Sequence, residues 1–187
     1  MPSRSMNRRG RLDAISLLTQ DHSKVKRLLA ALDTTTERAV NRRQALLKEI
    51  ETEIKIHSKV EEEIFYPAYK EAVRKGDEHL YYEALEEHSL VDTVLHAMKS
   101  SDAASEEFGA KAKVLKDLIE HHAGEEETEM FPKARTALGP AKLLELGKHI
   151  QDRKEELQSG LLTRAARTAG AALGTVMKKV GTKKRAA

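Results

Sequence analysis

Apolar residues return every three or four positions along most of this chain and nowhere in sustained alternation, so the pattern predicts helices and no strands. A first helix spans about residues 12–32, with Ile15, Leu18, His22, Val25, Leu29 and Leu32 on one stripe. Thr34 with Glu37 three residues later has the form of a capping box. From there a second helix runs to about Arg74, with Leu47, Ile50, Ile54, His57, Glu61 and Ile64 inward, and Pro67 kinks it by removing a backbone donor. After the stop at Lys75-Gly76-Asp77, a third helix covers about residues 78–99, with Tyr81, Ala84 or Leu85, His88, Val91, Leu95 and Met98 on its stripe. A fourth covers about 105–138, with Leu115, Ile119, His122 and Glu126 inward and Pro132 in the place of Pro67. Gly139-Pro140 ends it. In the segment 139–159 a shorter fifth helix, about 141–158, turns Leu143, Leu144, Leu146 and Ile150 toward the rest.

The stripes repeat. Asp21-His22-Ser23, with Val25, Leu29 and Leu32, returns 66 residues later as Glu87-His88-Ser89, with Val91, Leu95 and Met98. At an offset of 65, His57 falls on His122, Glu61 on Glu126, Glu62 on Glu127, Tyr66 on Phe131 and Pro67 on Pro132. Each half is thus a helical hairpin with one histidine on its first helix and His-x3-Glu on its second. Two such halves make an all-α, up-down four-helix bundle over residues 12–138, with a pseudo-twofold axis, a short extra C-terminal helix and a basic tail. Residues four apart share a helix face, so His22, His57, Glu61, His88, His122 and Glu126 converge on one level of the core.

A lone histidine on an apolar stripe is ordinarily a core residue with a hydrogen-bond partner. Two core carboxylates are costly without a charge partner or a metal, and no Lys or Arg shares their stripes. The chemistry expected is a metal pair. Each ion takes about two imidazoles, the carboxylates bridge, and each keeps an open position for a small molecule. Nitrogen and oxygen donors with open positions suit non-haem iron, and manganese or zinc would also accept them. No Asp or Glu stands three residues before any of the eight histidines, which speaks against a ferritin-like di-iron site, and HExxH is absent. His121 points about 100° away from the stripe of His122, and His79, His96 and His149 read as surface residues.

Composition narrows the chemistry further. There is no Cys, so thiolate zinc sites, iron–sulfur clusters and disulfides are excluded. No apolar run reaches membrane-spanning length, and the basic N-terminus lacks the apolar core of a signal peptide, so a cytoplasmic location is expected. The formal net charge of +3 conceals a segregation. An arm at 1–11 carries four Arg and no acid, and the Ala/Gly-rich tail at 160–187 carries seven Lys/Arg and no acid; the middle then holds 22 basic against 30 acidic residues, a net of −8. Such a tail can contact nucleic acid, an anionic membrane or a protein partner.

The order His, His-x3-Glu, His, His-x3-Glu, with paired glutamates and Tyr-Pro or Phe-Pro closings, resembles the hemerythrin-like family of HHE cation-binding domains over about residues 12–138. The resemblance implies two non-haem iron ions with a bridging oxo or hydroxo group, held by His22, His57, Glu61, His88, His122 and Glu126. It also implies a protein that binds or senses O2, NO or peroxide, or handles iron; the alternative is a di-iron enzyme that decomposes peroxide in a catalase-like way or acts as an oxidase. Oxygen carriers of that family have a fifth histidine on the third helix and an aspartate bridge on the fourth. Here Ala84 and Asp92 stand one turn either side of His88, and the fourth helix supplies Glu126. Asp92 is therefore a candidate extra ligand or an acceptor orienting an imidazole.

Overall fold

The computed structural model describes residues 12–183, with the backbone alone described at 162 and 164–183. The arm at 1–11 and the last residues of the tail, 184–187, lie outside the described residues. In chain order come α1 (Ala14–Asp33), α2 (Val40–Val60), a π-helical turn (Glu61–Phe65), α3 (Tyr66–Ala72), α4 (His79–Lys99), α5 (Glu106–Glu125), a second π-helical turn (Glu126–Met130) and α6 (Phe131–Lys183). Among the described residues there is no strand.

Local chemistry starts and stops these helices. The Asp13 carboxylate accepts from the Ser16 N–H at 2.7 Å, and the Ser105 hydroxyl accepts from the Phe108 N–H at 3.1 Å, satisfying donors that a helix N-terminus leaves free. Thr34 does not open the second helix. Its N–H and hydroxyl bond the carbonyls of Ala30 and Ala31, closing α1, and α2 begins at Val40 with no side-chain cap. The turn between them is instead held by Arg43 of α2, whose guanidinium donates to the Thr35 hydroxyl at 3.0 Å and the Thr35 carbonyl at 3.2 Å. The same group donates to the Ala103 carbonyl at 2.9 Å and lies 5.5 Å over the Phe108 ring. One buried side chain thereby joins the α1–α2 and α4–α5 connections at one end of the bundle.

α1 packs against α2 and α5, α4 against α5, and α2 meets α4, so four rods close a ring around one core. Val25, Leu29, Leu32, Leu47, Ile50, Ile54, Val91, Leu95, Met98, Phe108, Leu115 and Ile119 fill the part nearer Arg43. Burying each such side chain contributes about 1.5–3 kcal/mol. Beyond the histidine level the filling is aromatic: Phe65, Tyr66, Tyr69 and Phe131 are buried.

The two π-helical turns correct the expected register. In a continuous α-helix Ile64 would follow Glu61 inward, but Ile64 is only half-buried and Phe65, Tyr66 and Tyr69 are buried instead. In each turn the N–H of the next residue, Tyr66 or Phe131, returns to the carbonyl of the glutamate five residues back. One extra residue enters the turn, as is frequent where a helix carries a functional side chain. Pro67 and Pro132 stand just past these turns, so the missing donor falls where the helical ladder is already changing step.

Gly139, at φ 72° and ψ 168°, breaks α6 just before Pro140, as expected of a glycine in that region. Leu143, Leu146 and Ile150 are buried after the break, whereas Leu144 is 45% exposed. At Gly147 a Cβ would sit 2.4 Å from the Leu12 carbonyl oxygen, so only glycine admits this approach to the start of α1. The described residues divide into two compact units between Gln151 and Asp152. The bundle lies in the first. In the second the described backbone is helical to Lys183, so the C-terminal helix does not stop near 158. No helix among the described residues is long and apolar enough to cross a membrane.

Candidate metal centre

His22 from α1, His57 from α2 and His88 from α4 meet His122 from α5, with Glu61 and Glu126 from the first positions of the π-helical turns. All six are buried. Stripe spacing carries the imidazoles inward, and each glutamate follows its histidine by four residues on the same face.

Each imidazole is held from outside by a carboxylate at Nδ1. His22 Nδ1 is 2.8 Å from Glu127, His88 Nδ1 3.0 Å from Glu62, His122 Nδ1 2.7 Å from Glu87 and His57 Nδ1 3.4 Å from Asp21. A carboxylate there accepts from Nδ1–H and turns Nε2 inward. The arrangement obeys the duplication. His22 and His88 take an acceptor from the opposite hairpin, and His57 and His122 take one from their own.

The inner faces meet closely. His22 Nε2 lies 3.1 Å from His57 Nε2, and His88 Nε2 lies 3.2 Å from His122 Nε2. Glu61 Oε2 is 3.1 Å from His57 Nε2 and 3.4 Å from His88 Nε2, and Glu126 Oε2 is 3.1 Å from His22 Nε2 and 3.6 Å from His122 Nε2. Each carboxylate therefore spans one imidazole of each hairpin. Two lone pairs at such separation repel unless a proton or a cation lies between them. Glu61 Oε1 and Glu126 Oε2 accept no hydrogen bond although both are buried; Glu126 Oε2 is within ion-pair distance of His22, but out of line for a hydrogen bond. Buried carboxylates with an unpartnered oxygen each, at the level of four inward imidazole nitrogens, are a donor set suited to a cation. Two overlapping groups could hold a cation: His22, His57, Glu61 and Glu126, and Glu61, His88 and His122.

Protonation points the same way. Burial pushes the His22 pKa down, but the neighbouring Glu126, Glu61 and Glu127 carry it up to about 9. Burial likewise opposes His88, which Glu61 and Glu62 raise to about 10, and His122, which Glu126 and Glu87 raise. Burial pushes Glu126 up, yet His122, His22 and His57 hold it well below the usual carboxylate range. In the metal-free protein, protons thus stand in for positive charge at this level. A cation must displace them, so uptake releases protons.

Tyr66 breaks the symmetry. Its hydroxyl donates to Glu126 Oε1 at 2.9 Å and lies 3.4 Å from His88 Nε2. Burial first, and then Glu126 and Glu61, raise its pKa well above 10, so it stays protonated. At the duplicate position Phe131 stacks on His22 at 5.8 Å between ring centroids. Asp92 is exposed, and the acceptor on His88 is Glu62, so Asp92 neither orients that imidazole nor belongs to either donor group. His121, His79, His96 and His149 are exposed.

The outer acceptors Asp21 and Glu87 were not singled out from the sequence. Their signal was available: each directly precedes a core histidine, as Glu62 and Glu127 directly follow a core glutamate.

A family model described as the Hemerythrin HHE cation binding domain matches residues 13–134. A crystal structure of a Hemerythrin HHE cation binding domain-containing protein from Mycobacterium kansasii is similar at a TM-score of 0.71 and 26% identity, covering 82% of this chain and 91% of that one. A DNA nickase from Nostoc sp. is 23% identical over 145 residues, 78% of this chain, and the chain spans 40% of that protein's length.

Proposed function

The chain belongs to the hemerythrin HHE cation-binding domain family, and from that premise we propose that its bundle holds two non-haem iron ions, with a bridging oxo or hydroxo group, through His22, His57, Glu61, His88, His122 and Glu126. The protein uses them to bind or sense O2, NO or peroxide, or to handle iron. The observation that carries this reading is the meeting of four inward Nε2 atoms with Glu61 Oε2 and Glu126 Oε2 within 3.1–3.6 Å, where Glu61 Oε1 and Glu126 Oε2 are buried without a hydrogen-bond partner. Iron in such a donor set supplies reversible binding of a small molecule at positions the protein leaves open. The chain's own residues do the rest. The outer carboxylates orient the imidazoles, the apolar layers on either side exclude water, and the Tyr66 hydroxyl holds a proton at Glu126 Oε1.

That proton favours a second reading, a di-iron enzyme that decomposes peroxide or acts as an oxidase, since such chemistry needs a donor within the buried layer. One experiment divides the two. Iron-loaded protein is reduced without oxygen and then exposed to it under optical spectroscopy. A long-lived spectral change that reverses when oxygen is removed supports binding; rapid return to the oxidised spectrum with consumption of added peroxide supports the enzyme. Protein that keeps only trace iron after anaerobic loading refutes both.

Of the partners the basic tail could contact, the similarity to a DNA nickase favours nucleic acid. The acid-free tail 160–187 is the part of this chain suited to duplex DNA, because its attraction to phosphate is electrostatic. Changing Lys178, Lys179, Lys183 and Lys184 to Gln in the full chain is expected to weaken DNA binding at low salt at least tenfold in a gel-shift assay; equal binding by both proteins removes DNA from the proposal.

A further inference from the structure

Besides Tyr66 and Phe131, the duplication fails at a second place beside the centre. On α4, Asp92 follows His88 by four residues; at the same step after His22, α1 carries Lys26. Lys26 Nζ reaches Glu127 Oε1 at 3.4 Å, so next to His22 the acceptor carboxylate is met by an ammonium built into the protein. Next to His88 the acceptor is Glu62, and the residue in the place of Lys26 is an acid. Glu62 and Asp92 line an open groove of about 540 Å3 together with Ser89, Thr93, His96 and His88 itself. Asp92 makes no ion pair among the described residues, and Glu62 presents its carboxylate between His88 and the groove.

His88 also lines a second space. A small space of about 10 Å3 lies between His22, His57, His88 and His122 and the apolar layer of Val25, Ile54, Val91 and Ile119. The imidazole of His88 is therefore the wall shared by an acidic groove open to solvent and the space beside the four histidines. On the groove side that ring is held by the half-exposed Glu62 carboxylate.

We infer that divalent cations reach the centre through this groove, drawn by Asp92 and Glu62 and admitted past His88, while the Lys26–Glu127 pair closes the equivalent place beside His22. The inference rests on the reading of the six inner residues as metal ligands. A cleft lined by one sign of charge raises the local concentration and arrival rate of the opposite sign. Asp92 acts on arrival and not on holding, because it lies outside both donor groups.

The test compares uptake of cobalt(II), followed by its visible absorption in stopped flow, by metal-free full-length protein and by Asp92→Lys. The substitution recreates on α4 the lysine that α1 already carries, at an exposed position. At low salt uptake is expected to slow by about tenfold, with final cobalt content unchanged and the gap narrowing as salt is raised; Asp92→Asn is expected to fall between. Equal uptake rates in all three proteins overturn the route. A lower final cobalt content in Asp92→Asn also overturns it, since Asp92 would then be a ligand. Failure of the unaltered protein to take up any cobalt overturns the ligand assignment itself, and the route with it.

Discussion

Glu126→Ala is expected to lose both bound iron ions, and with them the stabilisation that metal confers. Glu126 Oε2 stands between His22 at 3.1 Å and His122 at 3.6 Å, and Oε1 accepts from Tyr66. Alanine removes the carboxylate that, among the described residues, spans those two imidazoles, and takes from the Tyr66 hydroxyl its shortest hydrogen bond. A ligand that binds only the folded state stabilises it by about 4 kcal/mol when present at a thousand times its dissociation constant. For a chain of this size that corresponds to roughly 8–16 °C in thermal midpoint. The unaltered protein should therefore melt well above its metal-free form, and Glu126→Ala should melt at one temperature with or without iron. Elemental analysis and calorimetry on both forms check this. Full iron content in the variant removes Glu126 from the ligand set.

Arg43→Ala is expected to destabilise the bundle by about 3 kcal/mol while leaving iron content intact. The side chain is 6% exposed and donates to carbonyls and a hydroxyl rather than to a carboxylate. Hydrogen bonds from a charged group contribute about 1.5–3 kcal/mol each, and a buried acceptor left without its donor adds a penalty. Truncation strands the Ala103 and Thr35 carbonyls and uncovers the Phe108 ring. Arg43→Lys should recover little, because an ammonium cannot fork across the two connections. Denaturant unfolding of the metal-free proteins measures the loss. Midpoints within experimental error of each other would show that Arg43 does not hold the two connections together. The two substitutions are complementary, since one empties the centre and the other loosens the opposite end of the core.

The helices and the inner six residues were legible because both rest on periodicity. A stripe at 3.6 residues marks a buried face, and two copies of the same stripe, one bearing a histidine where an apolar residue is expected, mark a paired site. What periodicity could not carry is a change of period. The π-helical turns add one residue to a turn, and nothing in Glu61–Phe65 announces it; hence Ile64 was placed inward and Phe65 was not. The capping box at Thr34 failed for a different reason. Arg43, eight residues away from Thr35, claims that turn, and a nonlocal partner overrides a local motif. The length of α6 was hidden by the Ala/Gly-rich, basic composition after Gly160, which reads as a tail and not as a helix with a strongly apolar stripe. Asp92 stood at the right spacing from His88 on its own helix, but Glu62 reached that imidazole from the neighbouring rod, a contact between residues 26 apart.

The outer pairings also decide how many molecules the centre needs. His22 is held by Glu127 and His88 by Glu62, each from the other hairpin, and Glu61 and Glu126 each span both hairpins. A single hairpin thus carries half of everything and completes nothing, and separate hairpins would have to associate before they could hold a cation. Joining both in one chain makes that encounter intramolecular, at an effective concentration set by the short connection between α3 and α4 rather than by abundance. The centre is consequently as complete in one molecule at high dilution as in a concentrated solution.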